Sequence, residues 1–235
     1  MPQRPDRQLF VAGATGATGR SLMSLAFAQG VPVRPHVRPK SLQRPEVAAW
    51  ADAVSFELDD RPALVDALRG CSTVLQLIGT MRKRFASGDT YESSDIGTTR
   101  QLVEAASEAG VRHFVLLSSV GAGRPVGAYL KAKAEAERLV THSALPWTIV
   151  RPGAFVGEDR FPQIFGHPGM DPPGARLLSR VPFMSALRPI HLDQLASVLL
   201  KVALDGAPTS TVLEGRNLWE LVDAARPLQT RPSGS

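Results

Sequence analysis

Tyr129 and Lys133 stand four residues apart in Tyr129-Leu130-Lys131-Ala132-Lys133. On a helix that spacing puts both side chains on one face. An ammonium beside a phenol favours the phenolate. A tyrosine tuned in this way exchanges a proton with a carbonyl or hydroxyl oxygen. Lys131 is offset by two residues and points off that face. Upstream, Leu116-Leu117-Ser118-Ser119-Val120-Gly121 leaves an apolar run for small polar residues. Ser119 is placed to hydrogen-bond, and so polarise, the same substrate oxygen. Ser119, Tyr129 and Lys133 are the candidate catalytic group.

A second pattern lies near the start. Val11-Ala12-Gly13-Ala14-Thr15-Gly16-Ala17-Thr18-Gly19 carries glycines at every third position, between an apolar run and a helical one. A glycine-rich turn from a first strand into a helix N-terminus is where a doubly wound sheet holds a dinucleotide pyrophosphate. Gly13 allows the tight turn, Gly16 lets the backbone approach the phosphates, and Gly19 lets the helix pack closely on the sheet. Gly13 to Gly19, with Ala14, Thr15, Ala17 and Thr18 between the glycines, are the candidate phosphate-binding residues. With a dinucleotide there, Lys133 has a second role, bonding the nicotinamide ribose.

The second strand ends in Val37-Arg38-Pro39-Lys40, with Arg34 and Arg44 nearby and nothing acidic between Leu9 and Glu46. A cofactor with a free ribose 2′-hydroxyl is usually held there by an acidic residue. A guanidinium instead grips a 2′-phosphate through paired charged hydrogen bonds. Arg38 is therefore the expected 2′-phosphate ligand, Lys40 a supporting charge, and NADP(H) the expected cofactor.

The GxxGxxG loop, the serine at a strand end and the YxxxK pair together resemble the short-chain dehydrogenase/reductase superfamily, in its extended and atypical branches. The chain is most similar to the small NmrA-like and TIP30-like members, from Leu9 to about Ala203. That resemblance implies further cofactor contacts. Asp59 matches an adenine-contacting position, Ile78-Gly79-Thr80 a fourth-strand end beside the cofactor, and Pro152-Gly153-Ala154 a sixth-strand end abutting the nicotinamide. Ser118 joins this set beside Ser119. Asp95-Ile96-Gly97-Thr98 resembles the start of the family's long helix, and Ile190-His191-Leu192-Asp193 a substrate-side segment. The large C-terminal substrate region of extended members has no counterpart here.

These residues need a scaffold that brings loop ends together. Short apolar runs at Leu9–Ala12, Val33–Val37, Val54–Leu58, Val74–Ile78, His113–Leu117, Trp147–Val150 and Thr211–Leu213 read as strands. Helical stretches alternate with them: Thr18–Gln29, a short one at Pro45–Ala51, Arg61–Leu68, Ser94–Ala109, Tyr129–His142, Leu192–Leu204 and Asn217–Ala225. Near-continuous apolar strands alternating with helices predict a parallel sheet covered on both faces, an α/β doubly wound Rossmann fold. One domain is expected over 1–225, with a small C-terminal substrate-side cap. Residues 152–190 read as a lid or as disorder, and 226–235 as a disordered tail.

The chain has 235 residues, a net charge of +5 and a single cysteine. Cys71 allows no internal disulfide, and reads as a buried small side chain or a redox group. The basic residues are scattered, without the stripe and reading motif that nucleic-acid binding needs. No apolar run approaches the roughly 20 residues of a membrane span, and a cytoplasmic protein is expected. The five histidines lack metal-ligand spacing. Three functions fit this pattern: a reductase of a carbonyl, quinone or activated double bond; a non-catalytic NADP(H)-binding redox sensor; or an assembly factor stapled by a nucleotide. Substrate identity and a homodimeric or protein partner are left open.

Overall fold

The structure, a computed structural model, describes residues 8–79, 90–156 and 185–225. Seven strands form one parallel sheet: β1 (Gln8–Ala12), β2 (Val33–Val37), β3 (Val54–Ser55), β4 (Cys71–Gln76), β5 (His113–Leu117), β6 (Trp147–Arg151) and β9 (Thr211–Glu214). Their order is β3-β2-β1-β4-β5-β6-β9. The chain winds outward from β1 to one edge, returns, and builds out to the other. This is the doubly wound arrangement, with its reversal between β1 and β4. A small parallel pair, β7 (Phe155–Val156) and β8 (Ile190–His191), sits after β6.

Alternation along each strand divides the core. Leu9 and Val11 of β1 join Leu75, Val115 and Val150 on one face, under α1 (Ala17–Ala28), α5 (Leu192–Asp205) and α6 (Arg216–Ala225). Phe10 and Ala12 join Val74, Phe114 and Ile149 on the other, under α2 (Arg61–Leu68), α3 (Thr98–Glu108) and α4 (Gly127–Thr141). Strands buried on both faces have no polar side to display, so they read as near-continuous apolar runs.

Several boundaries differ from expectation. The Pro45–Ala51 helix is only a 3-10 turn at Val47–Ala49. β3 stops at Ser55 rather than Leu58. The helix expected from Ser94 begins instead with a π-helical turn, Glu92–Gly97, that leads into α3. Most of the 152–190 lid segment, Thr80 and the 226–235 tail lie outside the described residues. Among the described residues no helix is long and apolar enough to cross a membrane. Cys71 is buried, and burial pushes its thiol up to about 11. A thiol so seldom ionised is a packing residue, and the redox reading is dropped.

Candidate active site

The glycine loop connects β1 to α1 at the carboxyl edge of the sheet. Gly13 adopts φ +92°, and a side chain there would meet Ile78 N at 2.9 Å. The loop is thus pressed against the end of β4. Gly16 donates its N–H to the Gly13 carbonyl at 3.0 Å, closing the turn. A Cβ on Gly19 would lie 2.2 Å from the Gly13 oxygen and 2.6 Å from that of Ala14. The close approach at Gly19 is therefore to the loop itself, and not to the sheet as the motif suggested. The loop, with glycine at three positions and set at a helix N-terminus, fits a pyrophosphate.

Two arginines crown this loop. Arg20 and Arg44 both donate to the Thr15 carbonyl, at 2.9 and 3.2 Å. Neither was among the expected cofactor residues. Arg20 directly follows the third glycine, and Arg44 belongs to the basic group after β2. Arg38 is half-buried at the end of β2, and Lys40 is exposed on the 3-10 turn that follows. Arg34 does not join them. It caps the C-terminus of α2, donating to the carbonyls of Ala67 at 2.6 Å and Arg69 at 3.2 Å. Asp59 is exposed between β3 and α2, while its neighbour Asp60 caps α2 through the Ala63 N–H.

Tyr129 and Lys133 lie on α4, as their spacing predicts. Tyr129 is 36% exposed, whereas Lys133 is buried. The Lys133 ammonium sits 2.8 Å from Asp95 Oδ1 and 3.4 Å from the Leu117 carbonyl it donates to. It also lies against Gly79, where a Cβ would approach Nζ to 3.1 Å. Lys133 therefore joins the ends of β4 and β5. The Tyr129 ring packs on Tyr91, with centroids 5.8 Å apart. Ser119 follows β5, its hydroxyl making a 3.4 Å contact to the neighbouring Val120 carbonyl among the described residues.

The π-helical turn is tied to the sheet by side chains. Thr98 and Thr99 return their hydroxyls to the carbonyls of Ser94 and Asp95. Gln76 donates to the Thr99 hydroxyl at 3.0 Å and accepts from the Ile78 N–H at 2.7 Å. One buried amide thereby connects the strand end at Ile78 and Gly79 to the turn that carries Asp95.

Ser118 does not behave as expected. Its hydroxyl donates to Glu137 Oε1 at 2.5 Å and its amide to the Val150 carbonyl at 2.8 Å. Both donors are used inside the protein, on Glu137 and Val150. Glu137 also takes two hydrogen bonds from Arg151, which reaches Glu214 at 2.9 Å. These carboxylates hold the Arg151 guanidinium protonated more firmly than usual. Pro152, Gly153 and Ala154 follow β6 at the same edge. Gly153 is closed in by Ala186, whose oxygen would meet a Cβ at 2.7 Å, and the Ala154 carbonyl accepts from the Ile190 amide.

The histidines of the described residues are structural. His36 bonds the Phe56 carbonyl, and burial lowers its pKa. His191 caps α5. His142 contacts the Arg138 carbonyl at the end of α4. No metal-ligating group of His, Cys, Asp and Glu occurs among the described residues.

A family described as NAD(P)H-binding matches residues 13–180. The chain belongs to that family. It is similar to Protein FMP52, mitochondrial, of Lodderomyces elongisporus, with 28% identity over 235 residues, covering 93% of this chain and 98% of that one. It is also similar to the (4-alkanoyl-5-oxo-2,5-dihydrofuran-3-yl)methyl phosphate reductase of Streptomyces griseus, with 33% identity over 154 residues, 63% of this chain and 48% of that one. Of solved structures, MoeE5 in complex with UDP-glucose and NAD shares the fold, with a TM-score of 0.65, 21% identity, and 93% and 80% of the two chains covered.

Proposed function

We propose that this protein is an NADP(H)-dependent reductase of a small molecule, acting on a carbonyl, quinone or activated double bond, in the manner of the NmrA-like and TIP30-like short-chain group. The observation that carries the reading is the placement of Lys133. Its ammonium is buried at the carboxyl edge of the sheet, on the helix of Tyr129, against Gly79 at the strand end next to the glycine loop. A purely structural lysine has no need of that position.

The bound cofactor supplies hydride to an electrophilic carbon of the substrate. The chain's own residues do the rest. Ser119 donates a hydrogen bond to the substrate oxygen and orients it. Tyr129 transfers its phenolic proton to that oxygen as negative charge develops there. Its partial exposure lets water return the proton afterwards. Lys133 has three N–H groups. One is donated to the Leu117 carbonyl while Asp95 supplies the counter-charge, and we assign a remaining N–H to a ribose hydroxyl. We assign Arg38 and Lys40, with Arg20 and Arg44 at the glycine loop, to the 2′-phosphate, a group that guanidinium side chains suit. MoeE5 was solved with NAD, so the preference for NADP(H) rests on these basic side chains alone.

The reductase named among the relatives supports reduction over passive sensing, as does the retained Tyr–Lys pair. We also assign 152–190 to the substrate side and the protein to the cytoplasm, with no nucleic-acid partner.

The test is a fluorescence titration with NADPH and NADH, repeated on Arg38→Ala. A preference for NADPH that collapses in the variant supports the cofactor assignment. Equal binding of both, unchanged by the substitution, refutes it. In a carbonyl and quinone screen, Tyr129→Phe should abolish turnover and leave NADPH binding intact. Turnover surviving in Tyr129→Phe would remove the proposed proton donor.

A further inference from the structure

The chain holds two tyrosines, Tyr91 and Tyr129. The fold brings them together. Tyr91 immediately precedes the π-helical turn Glu92–Gly97, and Tyr129 stands in the first turn of α4. Their ring centroids are 5.8 Å apart, with the planes inclined by 56°.

The surroundings of this pair are apolar. Val126, the residue that leads into α4, is 81% exposed, the most exposed of the large apolar side chains among the described residues. It lies three residues before Tyr129, a spacing that puts both on one side of the helix entry. Leu130 follows, and its Cδ1 lies 3.1 Å from where a Cβ on Gly121 would stand. A single exposed valine is ordinary. A valine and two packed rings gathered at the proposed proton donor form a surface of the kind that meets a ligand. The ionic pair of Asp95 and Lys133 is one helical turn further along both segments and is buried. The rings, rather than these charges, lie nearer the surface.

The proton donor dictates where a substrate lies. For proton transfer the substrate oxygen comes within about 2.6–3.2 Å of the Tyr129 hydroxyl. The carbon framework beside that oxygen then extends over the neighbours of Tyr129, with Tyr91 foremost. Aromatic rings associate at centroid separations of about 4.5–7 Å, offset or edge to face. Tyr91 offers that partnership to a flat ring carried next to the reacting carbonyl. A saturated substituent of equal bulk gains the apolar contact and not the aromatic one.

We infer that Tyr91 is a specificity-determining residue: its ring is one wall of the substrate site and selects a carbonyl conjugated to a planar ring over an aliphatic carbonyl. This rests on the reductase reading of the site. The selection works through shape and π surface, and asks for no charge on the substrate.

The experiment compares two substrates of the full-length protein with NADPH. One is 1-phenylpropane-1,2-dione, with a flat ring beside its carbonyl. The other is 1-cyclohexylpropane-1,2-dione, of similar size but saturated. Each takes one hydride from NADPH and one proton per turnover, giving a hydroxyketone and NADP+. Tyr91→Leu keeps apolar bulk and loses the ring, and Tyr91→Phe keeps the ring. In Tyr91→Leu the ratio of kcat/KM for the phenyl over the cyclohexyl dione should fall about three- to tenfold, on the scale of one aromatic pair. The fall should come chiefly through KM for the phenyl dione, and Tyr91→Phe should restore the wild-type ratio. Tyr91→Trp, with a larger ring face, should raise it, which keeps the test decisive if the leucine variant fails to bind NADPH. A ratio unchanged across the variants, with both diones reduced by the wild type, overturns the role of Tyr91 and leaves the reductase reading standing. A ratio that also falls in Tyr91→Phe points to the hydroxyl and overturns the ring wall. A wild type that binds NADPH but reduces neither dione, nor any carbonyl or quinone of the wider screen, overturns the reductase reading and this inference with it.

Discussion

Arg20 and Arg44 donate to one and the same acceptor, the carbonyl of Thr15 in the middle of the glycine loop. One comes from the first turn of α1 and the other from the connection after β2, so two guanidinium groups crowd a single backbone oxygen. Glu46, 3.8 Å from Arg44, is a loose counter-charge. On the proposed NADP(H) reading, this pair faces the 2′-phosphate. Arg20→Ala and Arg44→Ala should each weaken NADPH by roughly tenfold to a hundredfold, on the scale of a lost charged hydrogen bond, and leave NADH nearly unchanged. The gap between the two cofactors should narrow with added salt, as it does for exposed charges. Titrations of both variants at low and high ionic strength check this, and equal losses for NADPH and NADH would exclude a 2′-phosphate role.

Gly19 gives a purely steric prediction. A methyl group there would sit inside the contact distance of two loop carbonyls. Gly19→Ala should push the helix off the loop, costing about 1–3 kcal/mol in stability and reducing nucleotide affinity at the same time. Gly30, with φ +64° and open space around it, provides the contrast. Its replacement by Ala should cost stability through backbone strain while sparing affinity. Chemical denaturation beside a nucleotide titration separates the two effects.

Glu137, Arg151, Glu214 and Ser118 form a charged staple between α4, the end of β5, and the edge strands β6 and β9. Glu137→Ala removes two of the carboxylate hydrogen bonds of a largely buried guanidinium, leaving it only Glu214, and should cost about 2–4 kcal/mol. For a protein of this size that lowers Tm by on the order of 10 °C. Ser118→Ala removes one hydrogen bond only, and should cost about 1 kcal/mol. Thermal melts of both variants test the ranking, which a surface-type salt bridge would not produce.

His113 sets an acid limit. Thr148 spends its hydroxyl proton on the Pro208 carbonyl, so the His113 Nε2, 2.8 Å away, carries the proton of that hydrogen bond. The buried Nδ1 has no hydrogen-bond partner among the described residues. Burial accordingly pushes the imidazole down to about 4. The unfolded chain binds this proton near 6.5 and the folded one does not. Stability from this group is therefore whole above about pH 6.5 and is lost as pH falls toward 4, by on the order of 2–3 kcal/mol. His36, also lowered by burial, acts in the same sense. Urea titrations between pH 7 and 4 should show the decline, and His113→Gln should flatten it. A wild-type curve level over that range would contradict the neutral imidazole.

The sequence was legible where chemistry and spacing coincide locally. Gly13, Gly16 and Gly19 are forced by one loop, and Tyr129 and Lys133 by one helix, so both could be read without knowing the fold. Asp95 could not. Its partner is remote in sequence, and the apolar pattern around it looks like an ordinary helix start, which hides the π-helical turn. The Ser118–Glu137 bond was hidden for the same reason: Glu137 comes from a helix whose rotation is set by packing. Pro35 interrupts the apolar run of β2 and has no N–H to give. The strand tolerates Pro35 because β3 pairs only with His36 and Val37, leaving no ladder partner there to miss an N–H.

The layering of the core has a consequence for how this chain is made. The face of β1 that carries Leu9 and Val11 is roofed by α1 together with α5, and α5 is tied back by Ser21 to Asp193 and by Thr73 to the Ala203 carbonyl. β6 likewise waits for β9 to complete its edge. During vectorial synthesis the sheet's first strands emerge long before their cover does. The nascent chain carries an open apolar face and a raw strand edge until its last elements leave the ribosome. Release truncated ahead of Thr211 would leave that edge permanently bare, a species bound for aggregation or a holding chaperone rather than for a smaller working enzyme.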